Sequence, residues 1–114
     1  MPRRTKATPF TLKFGARMRA LRTELGISLS RLADATSISK GHLSSIEQGL
    51  ASITIETVER IAIGLGTCSP VLLSFPKEND IAQIVDLVRQ LPKRELKRLR
   101  RELKALVAEH EMEE

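Results

Sequence analysis

The stretch LADATSISKGHLSSIEQG, residues 32–49, decides the fold because it predicts two short helices joined by a tight turn. Ser39 is a favourable N-cap for the second helix, and Gly49 is typical of a residue that ends one. Leu43 and Ile46 lie three residues apart, so one side of this helix is expected to face a core. The rest of its surface is hydroxyl-rich and almost free of charge.

Further helices are predicted on both sides of this stretch. Ser28 is expected to cap the first helix of the pair, about residues 28–36, and Thr54 the helix that follows the pair. A short fifth helix is expected to begin at Ser69-Pro70, because proline favours the first helical position. An apolar stripe at helical spacing predicts a helix before the pair, from about Thr11 to Gly26. Aromatic residues make up only 3% of the chain, which favours packed aliphatic helices and predicts an all-α fold.

Composition divides the chain into three parts. Residues 1–10 are polar and basic and predict a flexible arm, which is either a disordered start or a contact to a phosphate backbone. Residues 11–77 hold the five helices described above. Residues 78–114 predict two further helices, the first capped by Asp80 and ended by Pro92.

The last predicted helix has leucines at alternating spacings of three and four, the pattern of a short coiled coil. Its first half is basic and its end is acidic. It is either a second contact to a polyanion or a dimerisation helix, and the otherwise exposed leucines favour dimerisation. In an antiparallel pair of these helices, the basic half of each would lie beside the acidic end of the other. In a parallel pair, the two basic halves would lie side by side, and so would the two acidic ends. The predicted dimerisation residues are Leu96, Leu99, Leu103 and Leu106.

Charge and composition limit the classes of function. The net charge is +5, and residues 1–50 hold nine Lys/Arg against three Asp/Glu, which favours a polyanionic partner, although solubility alone could explain it. Cys68 is the only cysteine, so no internal disulfide is expected, and His42 and His110 have no neighbours that would complete a metal site. We expect no cofactor and no enzymatic activity. No signal peptide or membrane span is predicted, which favours a cytoplasmic protein.

The helix at residues 40–48 has the side chains that suit a DNA major groove. Serine and glutamine can hydrogen-bond to base edges, and glycine permits close approach. A densely charged helix would hold phosphates without distinguishing sequences, whereas Arg and Lys elsewhere can supply that contact.

Residues 15–66 resemble the Cro and phage-repressor type of helix-turn-helix, the XRE family. The resemblance is carried by GARMRALRTELGIS (15–28), by residues 32–49, and by TIETVERIAIGLG (54–66). It implies a five-helix, lambda-repressor-like domain that binds double-stranded DNA as a homodimer on an inverted repeat. The base contacts that it implies are Lys40, Gly41, His42, Ser44, Ser45 and Gln48.

The family pattern also implies a structural ion pair between Glu47 and Arg22. Three positions depart from the pattern: Leu29 replaces the usual Gln, Ser37 the usual turn Gly, and Ile53 the usual Pro. A left-handed Ser37 would cost roughly 1 kcal/mol, or the turn is altered. Because the loop before Thr54 has no basic residue, phosphate contacts are expected from a set elsewhere: Arg3, Arg4, Lys6, Arg17, Arg19, Ser28, Arg31, Ser39 and Thr54.

These observations predict a transcriptional regulator, expected to be a repressor. An antitoxin or restriction-modification controller with the same domain is an alternative. A different class is a protein-interaction adaptor that acts through the C-terminal helices, where a protein partner could bind. Besides the leucine pattern, Val71, Leu72, Leu73 and Phe75 are candidates for a dimer interface.

Overall fold

The structure is a computed structural model that describes residues 6–113. This part of the chain contains seven α-helices, which confirms the predicted all-α class. They are α1 (Pro9–Leu25), α2 (Leu29–Thr36), α3 (Lys40–Glu47), α4 (Ile55–Gly64), α5 (Ser69–Leu72), α6 (Asp80–Val88) and α7 (Lys93–Glu113).

Side-chain caps begin the helices of the N-terminal half. Ser28, Ser39 and Thr54 cap α2, α3 and α4, and each side-chain oxygen accepts a hydrogen bond from the backbone N–H three residues later. These donors have no partner inside a helix, so each cap removes one unsatisfied group. The positions are those expected from the sequence.

Two helix starts differ from the prediction. Helix α1 begins at Pro9, because Thr8 accepts a hydrogen bond from the Thr11 N–H and proline occupies the first turn. The predicted boundary of the arm at residue 10 is therefore wrong. Helix α6 is capped by Asn79 and not by Asp80: Asn79 Oδ1 accepts from the Ala82 N–H at 2.8 Å.

The core lies among α1–α5 and is mainly aliphatic. Its fully buried large side chains are Phe14, Met18, Leu32, Leu43, Ile46, Ile61 and Leu72. Two glycines allow the helices to approach closely. A Cβ at Gly15 would lie 2.5 Å from the carbonyl oxygens of Ile46 and Glu47, and one at Gly64 would lie 2.6 Å from Thr36 Cγ2. The first contact fixes α1 against α3, and the second fixes α4 against α2.

The turn between α2 and α3 is left-handed at Ser37, with φ 58° and ψ 27°. Of the two outcomes expected for Ser37, the strained left-handed conformation is the one observed. Neighbouring groups hold it: the Thr36 hydroxyl donates to the Leu32 carbonyl and accepts from the Ile38 N–H. Arg60 of α4 donates to the Thr36 carbonyl at 2.6 Å.

Helix α6 is joined to α1 by a network of charges. Asp86 Oδ1 accepts from Arg17 Nη2 at 3.1 Å and from Arg89 Nε at 2.8 Å. Arg89 also makes a bidentate pair with Glu24 of α1, at 2.8 and 2.9 Å. Helix α7 has no buried residue, and it contributes to an elongated molecule of 52 × 28 × 22 Å.

Candidate nucleic-acid interface

Helix α3 has one buried side and one polar side. Leu43 and Ile46 are fully buried, and they anchor the helix against the core. Lys40, Gly41 and Gln48 are exposed. An apolar pair three residues apart with a polar remainder is enough to orient a helix of only two turns.

The predicted base-contact residues share the polar side of α3, which we call the outer face of α3: Lys40, Gly41, His42, Ser44, Ser45 and Gln48. Three of these residues are exposed, and His42, Ser44 and Ser45 are partly exposed. The Gln48 amide donates to the Ser44 hydroxyl at 3.0 Å. A Cβ at Gly41 would meet nothing within 4 Å, so this point of the surface is open.

An ion pair holds the end of α3 on α1. Arg22 Nε donates to Glu47 Oε2 at 2.7 Å, and Arg22 Nη2 donates to Oε1 at 3.0 Å. Arg22 Nη1 also donates to the Ile27 carbonyl at 2.8 Å. The hydrogen bonds to Glu47 raise the pKa of the Arg22 guanidinium above its ordinary value, against the opposing effect of burial. The carboxylate of Glu47 is therefore held within the fold and does not belong to the outer face.

Three residues predicted to contact the DNA backbone use their hydroxyl oxygens as helix caps. Ser28 accepts from the Arg31 N–H, Ser39 from the His42 N–H and Thr54 from the Thr57 N–H, each at 3.1 Å. A capping hydroxyl accepts through its oxygen and keeps its own O–H as a donor. The hydroxyls of Thr54 and Thr57 are also hydrogen-bonded to each other, at 3.0 Å.

The basic residues predicted to contact phosphate have different surroundings. Lys6, Arg19 and Arg31 are exposed, while Arg3 and Arg4 lie outside the described residues. The prediction for Arg17 is corrected: its side chain is only 9% exposed, pairs with Asp86 and donates to the Val71 carbonyl. Arg17 lies at the edge of the apolar stripe of α1, and α6 covers that position.

Several residues that position α3 were not identified from the sequence. Gly15 permits the close approach to α1, and Arg60 satisfies the end of α2. Thr11 donates to the Gly49 carbonyl at 2.8 Å, which joins the end of α3 to the start of α1. A small residue inside a strong helical pattern was the available signal for Gly15. The two hydrogen bonds join residues 24 and 38 positions apart and left no local signal.

Other kinds of site are not found in the part of the chain that the structure describes. Over residues 6–113, no cluster of three or more His, Cys, Asp or Glu side chains could hold a metal ion. Within the same residues, no helix is both long and apolar enough to cross a membrane.

Comparison with known proteins identifies a family that this arrangement resembles. A helix-turn-helix family model, HTH_3, matches residues 18–73. The HTH-type transcriptional regulator SutR of Escherichia coli (strain K12) is 42% identical over 60 residues, which are 53% of this chain and 34% of SutR. The chain thus spans about a third of the length of that relative.

Solved structures agree with this family in fold. The restriction-modification controller protein C.AhdI from Aeromonas hydrophila has 27% identity and a TM-score of 0.54, covering 54% of this chain and 94% of C.AhdI. An HTH_3 family transcriptional regulator from Vibrio cholerae has 32% identity and a TM-score of 0.57, covering 66% of this chain and 39% of that one. Residues 18–73 are therefore similar, in sequence and in fold, to the HTH_3 family of helix-turn-helix proteins.

Proposed function

We propose that this protein is a transcriptional regulator that binds double-stranded DNA as a homodimer, with the outer face of α3 in the major groove. The observation that supports this most is the combination of a polar, nearly uncharged outer face with a rigid attachment of the same helix. A helix that reads bases must be held firmly, since a loose one would lose orientation at the base edges.

The side chains of the outer face suit the reading of bases. Lys40 can donate to guanine, Ser45 can donate or accept, and Gln48 can pair with adenine. Gly41 leaves room for a base or sugar to approach. Each good contact of this kind discriminates against a wrong base by about 1–3 kcal/mol.

Contacts to phosphate would come from other parts of the fold. Arg19 and Arg31 are exposed side chains on α1 and α2, and Lys6 precedes α1. The hydroxyls of Ser28, Ser39 and Thr54 lie at helix N-termini, where backbone N–H groups favour anions. Such contacts fix the position of the protein on DNA without reading its sequence. As a repressor, the dimer would cover a promoter and exclude polymerase.

The test is selection from random duplex DNA at about physiological salt, followed by sequencing of the bound fraction. We expect an enriched inverted repeat whose half-sites are about one helical turn apart or a multiple of it. A folded protein that enriches no sequence would contradict the proposal and would favour an adaptor that acts through α6 and α7.

Lys40→Ala and Ser45→Ala test the outer face directly. We expect each to weaken binding to the selected sequence by about 1–3 kcal/mol and to relax preference at one position, while the melting temperature stays nearly constant. Lys77→Ala is the matched control for Lys40, because it removes the same charge from an exposed residue outside the helix-turn-helix. Ser52→Ala is the matched control for Ser45→Ala, because it removes the same hydroxyl from an exposed residue outside the helix-turn-helix. Loss of folding in either α3 variant would contradict the assignment of the face.

A second candidate is a restriction-modification controller, which the likeness to C.AhdI favours. It shares the DNA-binding step and differs in the genes that it controls. Mapping the selected sequence onto the source genome separates the two: a site upstream of restriction and modification genes supports the controller.

A further inference from the structure

Helix α7 presents an apolar stripe that the rest of the described chain leaves largely open. Leu96, Leu99, Leu103 and Leu106 follow the a and d positions of a heptad. Leu103 is 46% exposed and Leu106 is 49% exposed. A lone helix of about this length is marginal in water, so α7 requires a covering surface.

Helix α6 covers only the beginning of this stripe. Val88 lies beside Leu96 at the start of a shallow apolar groove, which continues along α7 past Leu103 to Val107. The groove runs along most of the helix, and no other element of the described chain lines it. The occupant must therefore be long and apolar on one side.

We propose that α7 pairs with α7 of a second copy as a parallel, in-register, two-stranded coiled coil. The inference rests on the homodimer of the proposed function and names its interface. An identical helix satisfies each requirement, since its own leucines recur with the same spacing over the same length.

The charges beside the leucine stripe favour the parallel orientation. With Leu96 at position a, Glu95 and Glu102 occupy g, while Lys93 and Arg100 occupy e. In a parallel pair each g residue faces the e residue that lies five positions later in the other helix. Glu95 therefore faces Arg100 of the partner subunit, and by symmetry the dimer contains two such ion pairs. In an antiparallel pair, e faces e and g faces g. Such a pair would bring Arg100 close to its own copy and would leave the glutamates facing each other.

The remaining charges of α7 do not reverse this preference. Its other basic residues occupy positions b, c and f, which do not face the partner directly: Arg94, Lys97, Arg98, Arg101 and Lys104. Of these, Arg98 pairs with Glu95 and Glu102 of its own helix, at 3.7 and 3.5 Å. Charges on opposite outer sides of two helices are separated by more than the Debye length of about 8 Å, so salt screens them. The charges at positions e and g therefore decide the orientation, and they favour a parallel pair. The total charge of each half of the helix would favour an antiparallel pair.

A parallel coil has a consequence for the rest of the dimer. The N-terminal ends of both α7 helices lie together, so both copies of α1–α6 are at the same end. The two-fold axis then runs along the coil and relates the two copies of α3.

Cross-linking tests the orientation in the full-length chain. Leu99→Cys is introduced with Cys68→Ser, because Cys68 is exposed and would otherwise react. In a parallel, in-register coil the two copies of residue 99 are adjacent at a d position, within reach of a disulfide. We expect nearly complete cross-linked dimer under mild oxidation. Arg101→Cys in the same background is the control and should remain mostly uncross-linked. Cross-linking no greater than in this control would overturn the parallel coil.

Sedimentation equilibrium without DNA tests the charge pair. We expect Arg100→Glu and Glu95→Arg each to weaken dimerisation about tenfold, and the double variant to recover most of the loss. Arg101→Glu makes the same change at an outward position and should have little effect. In an antiparallel coil Arg100→Glu would exchange one like-charge pair for another, so an unchanged dissociation constant would contradict the proposal.

Leu103→Lys tests whether the dimer interface is formed by α7 or by α5. We expect it to give monomers at concentrations where the unaltered chain is dimeric. A variant that remains equally dimeric overturns the inference and moves the interface away from α7. Since none of these measurements includes DNA, failure of the DNA-binding proposal would leave their outcome unchanged.

Discussion

Arg22 and Glu47 show how one pair of side chains determines the position of α3. The pair is bidentate, and the two side chains are only 16% and 8% exposed. A buried ion pair adds little net stability, because both charges lose hydration, but the loss of one partner leaves an uncompensated charge. The pair thus specifies where α3 lies more than it strengthens the fold.

Glu47→Ala should lower the free energy of unfolding by about 3 kcal/mol, because Arg22 would keep its buried charge without a partner. In a domain of this size that corresponds to a fall of about 10 °C or more in the melting temperature. Thermal unfolding followed by circular dichroism measures it. Glu59→Ala, at an exposed glutamate of α4, is the control and should change the melting temperature little. An equal fall in both variants would show that the pair has no special role.

The same pair illustrates what the sequence could predict at the site. The cap rule predicted Ser28, Ser39 and Thr54, because a cap depends on a short motif. Arg22 and Glu47 are 25 residues apart, and only the family resemblance predicted that pair. The prediction that Arg17 contacts the DNA backbone is wrong, because helical spacing shows only where a residue lies relative to the apolar stripe. Spacing does not show that another helix lies over it, and Asp86 is 69 residues away.

Helix ends and helix contacts differed in how far the sequence determined them. Asn79 and Asp80 are both good caps, so residue type alone could not choose between them. Thr8 followed by proline is a signal for the start of α1, whereas the polar composition of residues 1–10 predicts an arm. Close helix contacts were missed at Gly15 and Gly64, because periodicity identifies a buried face and not the distance to its neighbour.

Gly15→Ala should destabilise the fold although alanine is the better helix former. The new Cβ would lie 2.5 Å from two carbonyl oxygens of α3, and backbone atoms cannot move aside independently. We expect a loss of about 1–3 kcal/mol in the free energy of unfolding, larger than the gain of about 1 kcal/mol in helix propensity. Chemical denaturation measures it.

Gly41→Ala is the matched control for this prediction. Nothing lies within 4 Å of the place that its new methyl group would occupy, so only the propensity gain should remain and unfolding should require more denaturant. A stabilised Gly15→Ala protein would contradict the close contact between α1 and α3.

On the scale of the whole molecule, charged side chains connect the five-helix core to the C-terminal helices. Hydrogen bonds from Arg89 lower the pKa of both Asp86 and Glu24, and Arg17 lowers that of Asp86 further. A carboxyl group whose pKa is lower in the folded state stabilises that state above its unfolded pKa. The contribution disappears as the pH falls through the folded pKa.

The melting temperature should therefore fall on acidification from about pH 5 to pH 3, and it should fall less in Asp86→Asn than in the unaltered chain. Asp86→Asn removes the carboxylate, so its share of the pH dependence is already absent. Asp34→Asn, at an exposed residue of α2, should retain the original slope. Identical slopes in all three proteins would exclude this network as a source of acid sensitivity.

The absence of buried residues in α7 also bears on how long the protein survives in a cell. If association covers this helix, folding of α7 and pairing of two chains are one equilibrium, and dilution unwinds the helix. An unwound segment is a protease substrate, and residues 93–104 hold seven Lys/Arg cleavage points for a trypsin-like enzyme. The rate of degradation then depends on the protein's own concentration, so scarce chains are removed quickly and abundant ones persist.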